Sequence, residues 1–182
     1  MIWIILGVLL WSGAHFFKRI APEARANMGN AGKGVVALGS VAGIVLMVIG
    51  YRSSDYIPLW DLGPAAMSIN NSLMVIAVVL FGVGSSKSRL RGKLRHPMLT
   101  GVIIWAIAHL LVNGDVASLV LFGGMGLWAL VSIVLINRSE SVPEPFTGGS
   151  AAGDIRLFLI CIAVFIVIAA IHTWLGYWPF PG

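Results

Sequence analysis

Charge is scarce in this sequence. Asp, Glu, Lys and Arg make up 10% of its 182 residues, against about a quarter in an ordinary soluble domain. That shortage excludes a globule whose whole surface faces water. There is one cysteine, Cys161, so neither an intramolecular disulfide nor a Cys-x-x-Cys metal site is possible. His-Glu-x-x-His, a nucleophile–base–acid constellation and a glycine-rich phosphate loop after a strand are all missing, which removes the usual hydrolase and nucleotide-binding chemistries. The strict apolar–polar alternation of a membrane β-barrel is missing as well.

Apolar side chains are abundant instead. They make up 58% of the chain, and the mean hydropathy is +0.94. Six apolar stretches, near 2–17, 33–51, 66–84, 97–113, 116–137 and 155–178, each approach the ~20 residues that cross a bilayer as a helix. Backbone groups in lipid must pair within their own segment, so helices are expected. The reading is an all-α polytopic bundle of about six spans, a single domain over 1–182 with the lipid bilayer as its solvent.

The helix ends carry their own signals. Gly63-Pro64 breaks the chain before the third span, and Pro97 suits the first turn of the fourth. Asn113-Gly114-Asp115 reads as a stop and a start, with Gly114 left-handed and Asp115 capping the fifth span. Asp154 is expected to cap the sixth. The linker 138–153, rich in Ser, Gly, Pro and Glu, is expected to be mobile. Gly39-x-x-x-Gly43 and Gly123-Gly124-x-Gly126 suit close helix contacts, and Asn70 and Asn71 suit polar contacts across helices or at the interface. Trp60, Trp174, Tyr177 and Trp178 fit an outer aromatic belt. Cys161 is read as a small packing residue.

The net charge of +5 is a topology signal rather than a nucleic-acid footprint. Eleven of the twelve Lys and Arg fall in alternate loops: Lys18 to Lys33, Lys87 to Arg95, and Arg138 with Arg156. Only Arg52 lies in the others. The positive-inside rule then puts the basic loops in the cytoplasm and both termini outside. The first stretch is not expected to be a cleaved signal peptide, because Lys18-Arg19 follow it and no charge precedes it.

Ionisable groups inside spans are the informative ones, because they cost free energy there. His15 and His109 sit within apolar sequence, each with a tryptophan four residues earlier, Trp11 and Trp105. That spacing puts Trp and His on one helical face. Two neutral imidazoles on different helices are able to ligate a haem iron. Structural hydrogen bonding and proton relay are the competing readings. Counting residues at ~1.5 Å each sets the heights of His15 and His109 some 5–10 Å apart, and by height alone His15 pairs better with His96, and His109 with His172. Arg95 and His96, just before Pro97, are able to hold an anionic group such as a haem propionate beside a helix N-terminus, or else simply belong to the positive-inside charge. His172 is placed near the interface.

The run from Arg95-His96-Pro97-Met98-Leu99-Thr100-Gly101 through Trp105, His109, Asn113-Gly114-Asp115 and Leu121-Phe122-Gly123-Gly124 resembles the signature of the NnrU family. Gly13-Ala14-His15-Phe16 and the Pro22–Arg25 turn fit it too. The resemblance implies a small multi-pass protein of the bacterial inner membrane, associated by name with nitrite and nitric oxide reduction. It also implies a relation to 15-cis-zeta-carotene isomerase, a haem b membrane enzyme that switches ligands at its iron. By that resemblance the haem-ligating histidines correspond to His15 and His109, whereas the enzyme's switching cysteine corresponds to Ala106. The expectation is therefore a haem b protein with His15 and His109 at the metal and Arg95 and His96 beside the cofactor. It would act in nitrogen-oxide or related redox metabolism, with a lipid-soluble substrate or electron donor. A polyene isomerase and a non-enzymatic transport or assembly protein are the alternatives. A partial likeness of Arg-His-Pro-x-x-x-Gly to isoprenylcysteine methyltransferases lacks their acidic, tyrosine-rich continuation.

Overall fold

The computed structural model describes residues 1–180. Its helices are α1 (Ile2–Ile20), the short α2 (Pro22–Asn27), α3 (Gly29–Arg52), α4 (Pro64–Val83), α5 (Pro97–Val112), α6 (Val116–Ser139) and α7 (Ala151–Trp174). A 3₁₀ turn at Arg89–Gly92 precedes α5, and a π-helical turn at Leu119–Gly123 widens the start of α6. No strand occurs among the described residues; the nearest approach is a single bridge between Pro58 and Asp115.

Each of the six apolar stretches is helical. Four helices, α3, α4, α6 and α7, are long and apolar enough to cross a membrane, whereas α5 is apolar but shorter. Large aliphatic side chains cover their outer surfaces: Leu38 is 73% and Ile155 62% exposed. Water would penalise that surface and lipid does not. The fold is that of a multi-pass helical membrane protein.

Glycines set how the helices meet. On α3, a Cβ at Gly43 would press on the Gly7 carbonyl and the Trp11 backbone, and one at Gly39 would meet Ala14. The Gly39-x-x-x-Gly43 pair therefore lets α1 lie against α3 at backbone distance. On α6, Gly124 faces Val8 of α1 and Gly126 faces Ala106 of α5. Asn70 on α4 donates to the Ala108 carbonyl of α5 at 2.8 Å, fully buried. The helix pairs α1–α3 and α4–α5 pack on α6, and α7 lies against α4.

The loops gather at two ends. At one end Arg19 pairs with Glu140 at 3.0 Å, and Arg89 with Asp154 at 2.6 Å. The Arg19 guanidinium holds the Glu140 carboxyl below the usual carboxylate range. At the other end the Met1 amino group donates to Ser54, Tyr51 shares a hydrogen bond with Ser118, and Trp60 donates to the Leu110 carbonyl. The eleven basic residues of the alternate loops thus share one end of the bundle.

Several local expectations are corrected. Gly114 is not left-handed; positive φ among the glycines occurs at Gly29, Gly63 and Gly176. It is glycine because a Cβ would collide with the Trp60 carbonyl, whose loop folds over the α5–α6 turn through Leu59 and Trp60 amides on the Gly114 carbonyl. Ser150, not Asp154, caps α7 by accepting from the Gly153 amide. Asp154 instead binds Ser88 and Arg89. The linker is anchored: Arg91 stacks over the Phe146 ring at 4.4 Å, and the Ser150 amide donates to the Lys87 carbonyl. The last helix stops at Trp174, ahead of a positive-φ turn at Gly176. Trp60 also ties this loop down, through its indole N–H on the Leu110 carbonyl. Pro97 at the start of α5 and Asp115 capping α6 are as the sequence implies.

Candidate functional site

His15 and His109 are built alike. The i−4 spacing lets each imidazole fold back on its own helix: His15 Nδ1 lies 2.9 Å from the Trp11 carbonyl, and His109 Nδ1 lies 2.9 Å from the Trp105 carbonyl. A carbonyl only accepts, so in the neutral ring the proton sits on Nδ1. That leaves the Nε2 lone pair without a protein partner among the described residues. A metal-ligating histidine has its second nitrogen anchored in this way, and so does a structural histidine bonded to its own helix. His172 shows the same arrangement with the Ile168 carbonyl at 2.8 Å. His96 does not, because its Nε2 is 2.8 Å from the Asn137 amide oxygen.

The two imidazoles rest on the same helix through different rings. His15 lies 4.2 Å from Trp11 and meets the Trp128 ring edge-on at 5.1 Å. His109 stacks on Phe122 at 4.5 Å, with Trp105 at 5.0 Å. Phe122 and Trp128 are six residues apart on α6, roughly 9 Å along its axis. His96, at Asn137, is a further nine residues on. His15 thus lies nearer the level of His109 than that of His96, contrary to pairing by height. The buried indole N–H groups of Trp11 and Trp128 both lack an acceptor, at a cost of about 1–3 kcal/mol each.

A common iron asks for more than this arrangement gives. Metal–imidazole bonds are about 2 Å long, whereas the two rings are offset along α6 and each already lies on an aromatic side chain. As single donors both residues fit, and the orphaned indoles mark a place where an acceptor is wanting. Joint ligation requires Trp128 and Phe122 to yield. No group of three or more His, Cys, Asp or Glu that would hold a metal ion occurs among the described residues.

Arg95 and His96 are not beside these imidazoles. Arg95 Nη2 donates to the Glu140 and Ser141 carbonyls at 2.9 and 3.3 Å, and so closes the C-terminal end of α6. Together with the His96–Asn137 contact it ties the start of α5 to the end of α6. Ala106 is buried and faces Gly126, at the α5–α6 contact.

Two features escaped the sequence reading. A buried chain runs from Tyr51 to Ser118 to the Asp115 carboxylate, with Ser118 donating to Asp115 at 2.5 Å. Asp115 had a visible role as a cap, but nothing local ties Tyr51, 64 positions earlier, to it. The second is a cleft of about 370 Å³ beside His15, bounded by Lys18, Arg25 and Lys33. Lys18 follows His15 by three residues, on the same helix face, which is a signal the sequence did contain.

Apolar helices, a basic end and imidazoles held within the bundle define a multi-pass membrane protein with candidate donor sites in its interior. The chain belongs to the NnrU protein family, whose profile matches residues 3–179. No curated protein and no solved structure matches it.

Proposed function

We propose that this chain is a single six-pass domain of the bacterial inner membrane, over residues 1–182, that binds haem b with His15 and His109 as its ligands. Its role would lie in nitrogen-oxide or related redox metabolism. The observation that supports the cofactor reading is the matched pair of imidazoles, each with Nδ1 held on its own i−4 carbonyl behind a tryptophan and Nε2 without a protein partner among the described residues. The Trp11 and Trp105 carbonyls fix the tautomer and raise the basicity of the ligating nitrogen. Phe122, Trp105 and Trp128 lie against the two rings and would have to shift for both imidazoles to reach one iron. A bound haem b would supply one-electron chemistry at iron.

The test is a reduced-minus-oxidised spectrum of protein purified in mild detergent after haem-supplemented expression. The expected result is a Soret band that a His15→Ala, His109→Ala double variant loses while eluting as wild type does. Absence of the band, or unchanged haem content in the double variant, defeats the reading.

The resting contacts of both rings favour a second reading, in which the histidines are structural and the protein has a transport or assembly role. Wild-type growth and stability in the double variant would support it. A polyene isomerase is weakened by Ala106, because the resemblance to 15-cis-zeta-carotene isomerase implies a thiolate at that position.

A further inference from the structure

The cleft beside His15 is not explained by the helix contacts. It lies where α1 and α3 diverge around α2, at the basic end of the bundle. Lys18, Arg25 and Lys33 border it, and no carboxylate lines it among the described residues. The rest of its lining is Ala14, Val36 and Ala37, with the His15 ring among them. Lys18 and Lys33 are exposed and carry no ion pair among the described residues. Arg25 is partly committed, donating to the Gly29 carbonyl at 3.1 Å. Three cations converging without an acid repel one another, so the site is most favourable with an anion in it.

The chemistry outside the cleft narrows the anion. Leu38, Val41, Val45 and Val48 form one exposed stripe along α3, each at least 49% exposed, at the i, i+3, i+7 spacing of a single helix face. It begins at Leu38, next in sequence to Ala37 of the cleft's lining, and continues along α3 away from the basic end. An anionic head at Lys18, Arg25 and Lys33 with a hydrocarbon tail along this stripe satisfies both surfaces at once. Basic pockets between spans at the cytoplasmic side are suited to lipid head groups.

We infer that the α1–α2–α3 cleft is a binding site for an anionic phospholipid, its phosphate held by Lys18, Arg25 and Lys33 and its acyl chain lying along the exposed face of α3. This inference rests on the membrane reading and not on haem, so the spectrum and the lipid measurement fail independently.

The full chain, purified in a neutral detergent, is titrated with phosphatidylglycerol or phosphatidylcholine, and bound lipid is counted by native mass spectrometry. Phosphatidylglycerol is expected to be retained roughly tenfold better. A Lys18→Ala, Lys33→Ala variant is expected to lose about fivefold in affinity per lysine removed. Arg25→Gln, which keeps a donor for Gly29, is expected to weaken retention as well. A Lys87→Ala, Lys93→Ala variant removes two charges at the same end of the bundle and is expected to retain the lipid. Equal loss in that control would reduce the site to diffuse positive charge and overturn the inference. So would equal retention of the two lipids. Complete displacement of the lipid by soluble glycerol phosphate would overturn it too, by showing a site for free anions.

Discussion

At the scale of single residues, most polar side chains of this bundle turn back on the i−4 carbonyl of their own helix, as Ser40, Thr100 and Ser132 do, and few reach another helix. Asn70 is one that does: its amide reaches across from α4 to the Ala108 carbonyl, next to His109. Replacing it with leucine keeps the branched shape, at a somewhat larger volume, and removes the hydrogen bond. Interhelical hydrogen bonds in membranes average about 0.6 kcal/mol and reach about 2 kcal/mol. Asn70→Leu is therefore expected to destabilise the protein by about 1 kcal/mol, read by thermal unfolding in detergent. A stabilised variant would mean that the bond contributes nothing and that packing alone joins α4 to α5. Gly114 makes the complementary point. Its lack of a side chain serves a close approach by Trp60, a tertiary fact that a turn signal in the sequence had disguised as a matter of φ.

At the scale of elements, the α1–α3 crossing decides where Trp11 and His15 point. Gly7 and Gly43 face one another there, and a Cβ at Gly43 would lie 3.0 Å from the Gly7 carbonyl. Gly43→Leu has no flexible neighbour to displace, only backbone. It is expected to cost about 1–3 kcal/mol, the range of overpacked cores, and to lower haem retention by shifting α1. Gly34→Leu, at an open position on the same helix, is the control, expected to do neither. If both variants behaved alike, the close crossing would not be what positions His15. The crossing was legible in outline, since Gly39-x-x-x-Gly43 announces a close contact. So were the six helices, because runs of apolar residues need no tertiary information. The shared face of Trp and His followed from a spacing of four. What stayed hidden depends on helix rotation and on partners far along the chain: that His15 meets Trp128 while His109 meets Phe122, that Arg95 and His96 close the end of α6, and that Lys33 comes to stand beside Lys18. Local sequence does not encode these.

At the scale of the whole molecule, the six-pass proposal depends on α1, whose apolar run ends in Lys18 and Arg19, and on the shorter α5. With 16 residues α5 is about 24 Å long, less than a ~30 Å hydrocarbon core. The loop through Leu59 and Trp60 lies over its C-terminal end and meets the backbone groups there, as irregular backbone at membrane depth must be met. Basic residues at one end and Arg52 alone at the other give the proposal a direction. Cys161 is buried, so a Cys161→Ala background allows single reporter cysteines to be read cleanly. Ser53, Ser85 and Ser141 are all exposed. In intact cells treated with a membrane-impermeant maleimide, Ser53→Cys is expected to label, whereas Ser85→Cys and Ser141→Cys are expected to label only after permeabilisation. The reverse pattern would invert the protein. Labelling of Ser85→Cys and Ser141→Cys from opposite sides would show that α5 and α6 do not both cross, because an even number of crossings must separate them. In that event the two histidines would no longer belong to helices that traverse one bundle, and the haem reading would lose its frame along with the topology.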